Sequence, residues 1–98
     1  MDIFAALADP TRRTILELLA SDGALSATAL YEHFPISPQA VSQHLKALKL
    51  AGLVKDRPEG ARRVYYIDPD GLGELRRWLD QFWDSALESF KQEVEREP

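Results

Sequence analysis

The sequence predicts a mainly α-helical fold with one small β-hairpin: about five helices and a two-stranded wing. Three observations carry that prediction. Apolar residues recur at helical spacing over most of the 98 residues. Asp9-Pro10 and Ser37-Pro38 each set a capping side chain before a proline suited to the first helical position. Leu53-Val54 and Val64-Tyr65-Tyr66-Ile67 are rich in β-branched and aromatic residues, and they flank turn chemistry at Pro58-Glu59-Gly60-Ala61.

Each element can be placed in turn. Ile3, Phe4 and Leu7 give a short first helix. After Asp9-Pro10, a second helix carries Ile15, Leu16, Leu18 and Leu19 and ends near Ser21-Asp22-Gly23. Leu25-Ser26 opens a third helix, with Ser26 as its cap, Leu30 and Phe34 facing inward and Pro35 ending it. Ile36-Ser37-Pro38 restarts the chain into a fourth helix that runs to about Leu50 and stops at Ala51-Gly52. The hairpin follows. Asp68-Pro69-Asp70-Gly71 reads as a break before a last helix from about Leu72 to Glu95. Two short helices joined by a tight turn, then a basic hairpin, are the order of a winged helix-turn-helix.

The totals are those of one small domain spanning 1–98, with terminal helices available for dimerisation. No apolar run approaches the ~20 residues that span a bilayer, so no membrane segment is expected. Met1-Asp2-Ile3-Phe4 has no basic n-region and no small-residue cleavage site, so no signal peptide is read. There are no cysteines, which removes disulfides, thiolate metal sites and thiol redox sensing together. A cytoplasmic protein is the simplest expectation. The net charge of −4 argues naively against nucleic acid, but its distribution argues for it. Between Ile36 and Tyr66 lie six bases (Lys46, Lys49, Lys55, Arg57, Arg62, Arg63) and two acids (Asp56, Glu59), a segment of +4 that leaves −8 elsewhere.

On a helical wheel, Val41, Leu45 and Leu48 fall together and are expected to pack on the third helix. Gln39, Ser42, Gln43 and Lys46 lie on the opposite face. Gln pairs bidentately with adenine, Ser meets a base edge or phosphate, and Lys favours guanine or phosphate. They begin in the first turn, where a recognition helix reaches the bases, and Ser37, which caps that turn, is counted with them as a DNA-contacting residue. A merely solvated helix face has the same polarity; the preceding helix, the tight turn and the basic hairpin favour DNA. Arg62 and Arg63, with Arg57, cluster near the hairpin tip, suited to the backbone or the minor groove. Tyr65 and Tyr66 point to opposite faces of their strand. His44, at the edge of the apolar face, reads as a locally bonded boundary residue, and His33 as an exposed one.

In the last helix, Leu75, Leu79, Phe82, Trp83, Ala86, Leu87, Phe90 and Val94 span an apolar face that Trp78 widens. One small core does not need so wide a face. A second copy is the simplest occupant, with Phe4 joining the interface. A homodimer would present two recognition helices to a palindromic operator at half-sites ~34–36 Å apart.

The chain resembles the ArsR family of small bacterial winged-helix repressors. The similar pieces are Leu7-Ala8-Asp9-Pro10-Thr11-Arg12-Arg13-Thr14-Ile15-Leu16, Ile36-Ser37-Pro38-Gln39-Ala40-Val41-Ser42-Gln43-His44-Leu45-Lys46-Ala47-Leu48, Ala51-Gly52-Leu53-Val54 and Arg62-Arg63-Val64-Tyr65-Tyr66. The resemblance implies a dimer built from the first and last helices, a recognition helix in the major groove, and repression by occupying a promoter. The family's metal sensors carry a Cys-x-Cys-type site beside the recognition helix, or carboxylates and histidine on the last helix. Neither maps here, and Asp80, Asp84 and Glu88, which share a helix face, are a poor transition-metal set. The chain is similar to the metal-independent branch marked by an aromatic terminal helix. No cofactor or metal is therefore expected, and the sequence leaves a small-molecule effector open.

Three functions compete. The leading expectation is a homodimeric, sequence-specific repressor that binds double-stranded DNA. The alternative is a winged-helix protein-interaction module without DNA binding, whose mark would be a monomer that captures another protein. Catalysis is not expected: there is no cysteine, Gly-rich phosphate loop or histidine motif, and Glu17, Glu32 and Glu74 are scattered.

Overall fold

A computed structural model describes residues 2–96. Eight elements follow one another: α1 (Ile3–Leu7), α2 (Pro10–Asp22), β1 (Leu25–Ser26), α3 (Ala27–His33), α4 (Pro38–Leu50), β2 (Val54–Glu59), β3 (Arg62–Ile67) and α5 (Pro69–Glu95). The predicted helices are all present, and α2, α3 and α4 start at the predicted capping side chains. Asp9 accepts from the Arg12 amide at 3.0 Å, Ser26 from Ala29 at 3.1 Å and Ser37 from Ala40 at 3.1 Å. Pro10 and Pro38 occupy the first turns of α2 and α4, where a missing N–H leaves no bond unmade.

The expected two-stranded wing is present as β2 and β3, and four details differ from expectation. The sheet has three strands in the order β1-β3-β2, not the two of the wing alone. Leu25 and Ser26, read as the opening of a helix, pair with Tyr65 and Val64 before Ser26 caps α3. A two-residue strand is too short to show a periodicity, so only its partner reveals it. Asp68-Pro69, read as a break, is the cap and first turn of α5: Asp68 accepts from the Asp70 amide at 3.0 Å. The hairpin strands also run further than expected, pairing through Glu59↔Arg62 and leaving only Gly60-Ala61 as the turn. Gly60, at φ 63°, supplies the positive angle that a two-residue hairpin demands. Pro58 is tolerated because β2 is an edge strand.

The core is assembled before α5 begins. Ile15, Leu16 and Leu19 of α2, Leu30 of α3, Val41, Leu45 and Leu48 of α4, and Leu53, Val54 and Val64 of the wing are buried, with Ala6 of α1. Ile3, Leu7, Phe34 and Tyr65 pack half-buried around this cluster. α5 buries none of its residues. Only its first turns dock: Leu72 packs on the core, and Gly71 lies so close to the Gly52 carbonyl that a Cβ there would overlap it. The 27-residue helix then runs on, and the molecule measures 66 × 26 × 24 Å. Among the described residues no helix is long and apolar enough to cross a membrane.

Candidate nucleic-acid interface

Burial of Val41, Leu45 and Leu48 fixes the rotation of α4 and turns Gln39, Ser42, Gln43 and Lys46 outward together, all exposed. Among the described residues, Lys46 has no carboxylate within salt-bridge distance, so its charge faces solvent. Ser37 is exposed, but its hydroxyl is engaged by the Ala40 amide. Ser42 is also engaged: its Oγ lies 2.8 Å from the Tyr31 hydroxyl of α3. Tyr31, half-buried against the core, therefore orients one of the candidate base-reading groups. Sequence reasoning missed Tyr31, because nothing local to α3 marks it.

The wing's cations are paired in an orderly way. Asp56, its side chain only 9% exposed, accepts Lys49 Nζ of α4 at 2.7 Å and Arg63 of β3 at 3.2 Å. The Lys49 hydrogen bond, helped by the charges of Lys49 and Arg63, holds the Asp56 carboxyl below the ordinary carboxylate range although burial opposes it. Glu59 is likewise shared by Arg57 at 3.5 Å and Arg62 at 3.7 Å. Each carboxylate neutralises one of its two cations, so each group retains a single positive charge. Arg57 also lies 5.2 Å from the Tyr66 ring centre. Lys55 stands 4.0 Å from Asp68. Asp56 ties the wing to the end of α4, a role its charge alone did not suggest.

His44 is the boundary residue expected, partly exposed, 3.4 Å from an Arg12 guanidinium nitrogen and 3.8 Å from Asp9. The Arg12 amide, with the Arg12 guanidinium charge, keeps the Asp9 carboxyl below its usual range against the pull of burial. His33 is exposed, its ring edge-on to Phe34 at 5.0 Å.

The residues expected at a dimer interface lie on one uncovered surface. Phe4 meets Trp78 edge-on at 5.0 Å, and Trp78 stacks on Phe82 at 5.3 Å. Trp83 is 63% and Phe90 65% exposed, and Leu79 and Ala86 are exposed with them. Leu75 is half-buried and lines a cleft of about 270 Å³ with Phe4, Ala51 and Trp78. Asp80 stands 3.8 Å from Arg76.

A helix-turn-helix domain family matches residues 7–57, which covers α2 through most of β2. The chain is 54% identical over 92 residues to the HTH-type transcriptional regulator Rv2034 of Mycobacterium tuberculosis, spanning 94% of this chain and 85% of that one. It is 37% identical over 81 residues to the transcriptional repressor SdpR of Bacillus subtilis, spanning 83% and 89%. Among solved structures, an ArsR-like transcriptional regulator from Rhodococcus sp. RHA1 superposes with a TM-score of 0.76 at 36% identity, over 97% of this chain and 92% of that one. The homodimeric winged helix-turn-helix DNA-binding domain of Mb0332 from Mycobacterium bovis superposes with a TM-score of 0.65 at 34% identity, over 82% and 73%.

Proposed function

The chain belongs to the ArsR family of winged helix-turn-helix transcriptional regulators, and from that premise we propose a homodimeric repressor that reads a palindromic operator with α4. The observation that carries the reading is the rotation of α4. Its buried stripe leaves Gln39, Ser42, Gln43 and Lys46 on one outward face, and the helix's first turn is capped by Ser37. In a major groove, these side chains offer amide, hydroxyl and ammonium groups to base edges. Arg62 and Arg63 approach the backbone, exchanging their carboxylate partners for phosphate.

Pairing of two copies through Phe4, Leu75, Leu79, Phe82, Trp83, Ala86 and Phe90 covers the uncovered aromatic surface. It also supplies the two-fold axis that a palindromic site requires. The homodimeric Mb0332 domain supports this arrangement. The chain has no cysteine and α5 carries no histidine, which supports the reading of a regulator of the metal-independent branch.

Selection of bound duplexes from a random-sequence pool tests the proposal. The expected product is a two-fold symmetric site with half-sites ~34–36 Å apart. Gln43→Ala and Lys46→Ala should each weaken binding to it by about tenfold. Lys46→Ala should also flatten the logarithmic salt dependence by about one charge. Unchanged affinity in both variants would overturn α4 as the reader.

A further inference from the structure

We propose that Arg12 is a positioning residue that ties α1 to α4, so that the aromatic surface of α1 and α5 and the DNA-reading face of α4 respond together. This rests on α4 being the reader.

The argument begins with the shortness of α1. A helix of five residues is unstable alone, and its last carbonyls have no partner inside it. Ala5 already accepts the Ala8 amide at 3.2 Å, and two arginines of α2 turn back to bond all three carbonyls from Ala5 to Leu7. Arg12 Nε donates to the Ala6 carbonyl at 2.7 Å and a terminal nitrogen of Arg12 to that of Ala5 at 3.0 Å. Arg13 donates to the Leu7 carbonyl at 2.7 Å. The remaining terminal nitrogen of Arg12 does something else: it lies 3.4 Å from Nδ1 of His44, on α4 and 32 residues away. A guanidinium offers only donors, so Nδ1 is the acceptor and the ring proton resides on Nε2. Asp9 closes the group, its Oδ2 accepting the Arg12 amide at 3.0 Å and standing 3.8 Å from the same Nδ1.

A guanidinium is a rigid planar fork. If the α1 carbonyls shift, the plane turns, and the nitrogen facing His44 moves with it. His44 directly follows Gln43 on α4. On its other side α1 carries Phe4, edge-on to Trp78, which stacks on Phe82. Contacts therefore run unbroken from the α5 aromatics through α1 and Arg12 to the reading helix. Adjacency alone does not establish coupling; a double-mutant cycle does.

The experiment uses the full chain and a duplex recovered from the random pool, with affinity read by fluorescence anisotropy and dimer content by sedimentation velocity. Arg12→Met keeps a long stem and removes the guanidinium. Arg12→Met and His44→Ala should each weaken binding by about five- to tenfold, and the double variant should be no weaker than Arg12→Met. The salt slope should keep its value, because neither side chain neutralises a phosphate. Additive losses would overturn the proposal. So would a slope flattened by about one charge in Arg12→Met, which would make Arg12 a phosphate contact, or a loss fully accounted for by dissociation of the dimer.

If Arg12→Met does not fold, His44→Gln takes its place. Its amide oxygen can accept from Arg12, so it should retain most of the affinity that His44→Ala loses; equal losses overturn the proposal. Gln43→Ala separates the two levels. If it binds as the unaltered chain does, α4 is not the reader and both readings fall. If it weakens binding while the Arg12 and His44 losses add, only the tie through Arg12 falls.

Discussion

Asp56 illustrates how much a single side chain can carry. Its carboxylate holds Lys49 of α4 and Arg63 of the wing at once, and its low exposure makes both contacts matter. Asp56→Asn should destabilise the fold by about 1–2 kcal/mol in urea unfolding at neutral pH. Because the native carboxyl titrates below the ordinary range, its stabilisation is complete above the unfolded value of about 4 and is lost as pH falls through the lowered native value. The stability difference between the unaltered chain and Asp56→Asn should therefore shrink as the medium is acidified below about pH 4. The same variant releases two cations, so its binding to non-specific duplex should steepen with falling salt. Tyr31→Phe removes the hydroxyl beside Ser42 and should relax base preference in the selected pool more than it lowers affinity. The outward set on α4 was legible from spacing, because a 3.6-residue period alone sorts Gln39, Ser42, Gln43 and Lys46 from Val41, Leu45 and Leu48. Tyr31 and Asp56 were not legible: their roles come from partners 11 and 7 residues away, across a turn.

Among the elements, those that begin with a cap and a proline were the most readable. Ser37-Pro38 starts α4 as expected, and Asp68-Pro69 starts α5 by the same chemistry although it reads at first as a break. β1 shows the opposite case. Leu25 and Ser26 carry no strand signal of their own and become one only by pairing with β3. The seat of α5 depends on two glycines. Gly52, at φ 79°, turns the chain after α4 and brings its carbonyl against Gly71. Gly71→Ala should force that backbone contact apart and lower stability by about 1–3 kcal/mol in thermal unfolding. Gly52→Ala meets open space but must hold a left-handed conformation, a strain of about 1–2 kcal/mol.

At the scale of the whole molecule, charge and apolar surface are segregated. The basic segment expected from sequence forms α4 and the wing, and the wide apolar face expected on the last helix lies uncovered along α5. Since Phe82 and Trp83 are exposed and outside the core, Phe82→Glu or Trp83→Glu should leave the core intact while converting a dimer to monomer, seen as an unchanged circular dichroism spectrum with halved mass in sedimentation. Operator affinity should fall steeply with the dimer, because each half-site would then be held by one copy. A variant that stays dimeric would place the pairing surface elsewhere. The division between a finished core and an uncovered α5 also has a consequence in time. Translation proceeds from the N-terminus, so every buried residue from Ala6 to Val64 has been made before the aromatic helix exists. On the proposed pairing through α5, a nascent chain can complete its helix-turn-helix while it still lacks the surface that would pair it with a neighbour on the same message, and partnership waits until synthesis is nearly done.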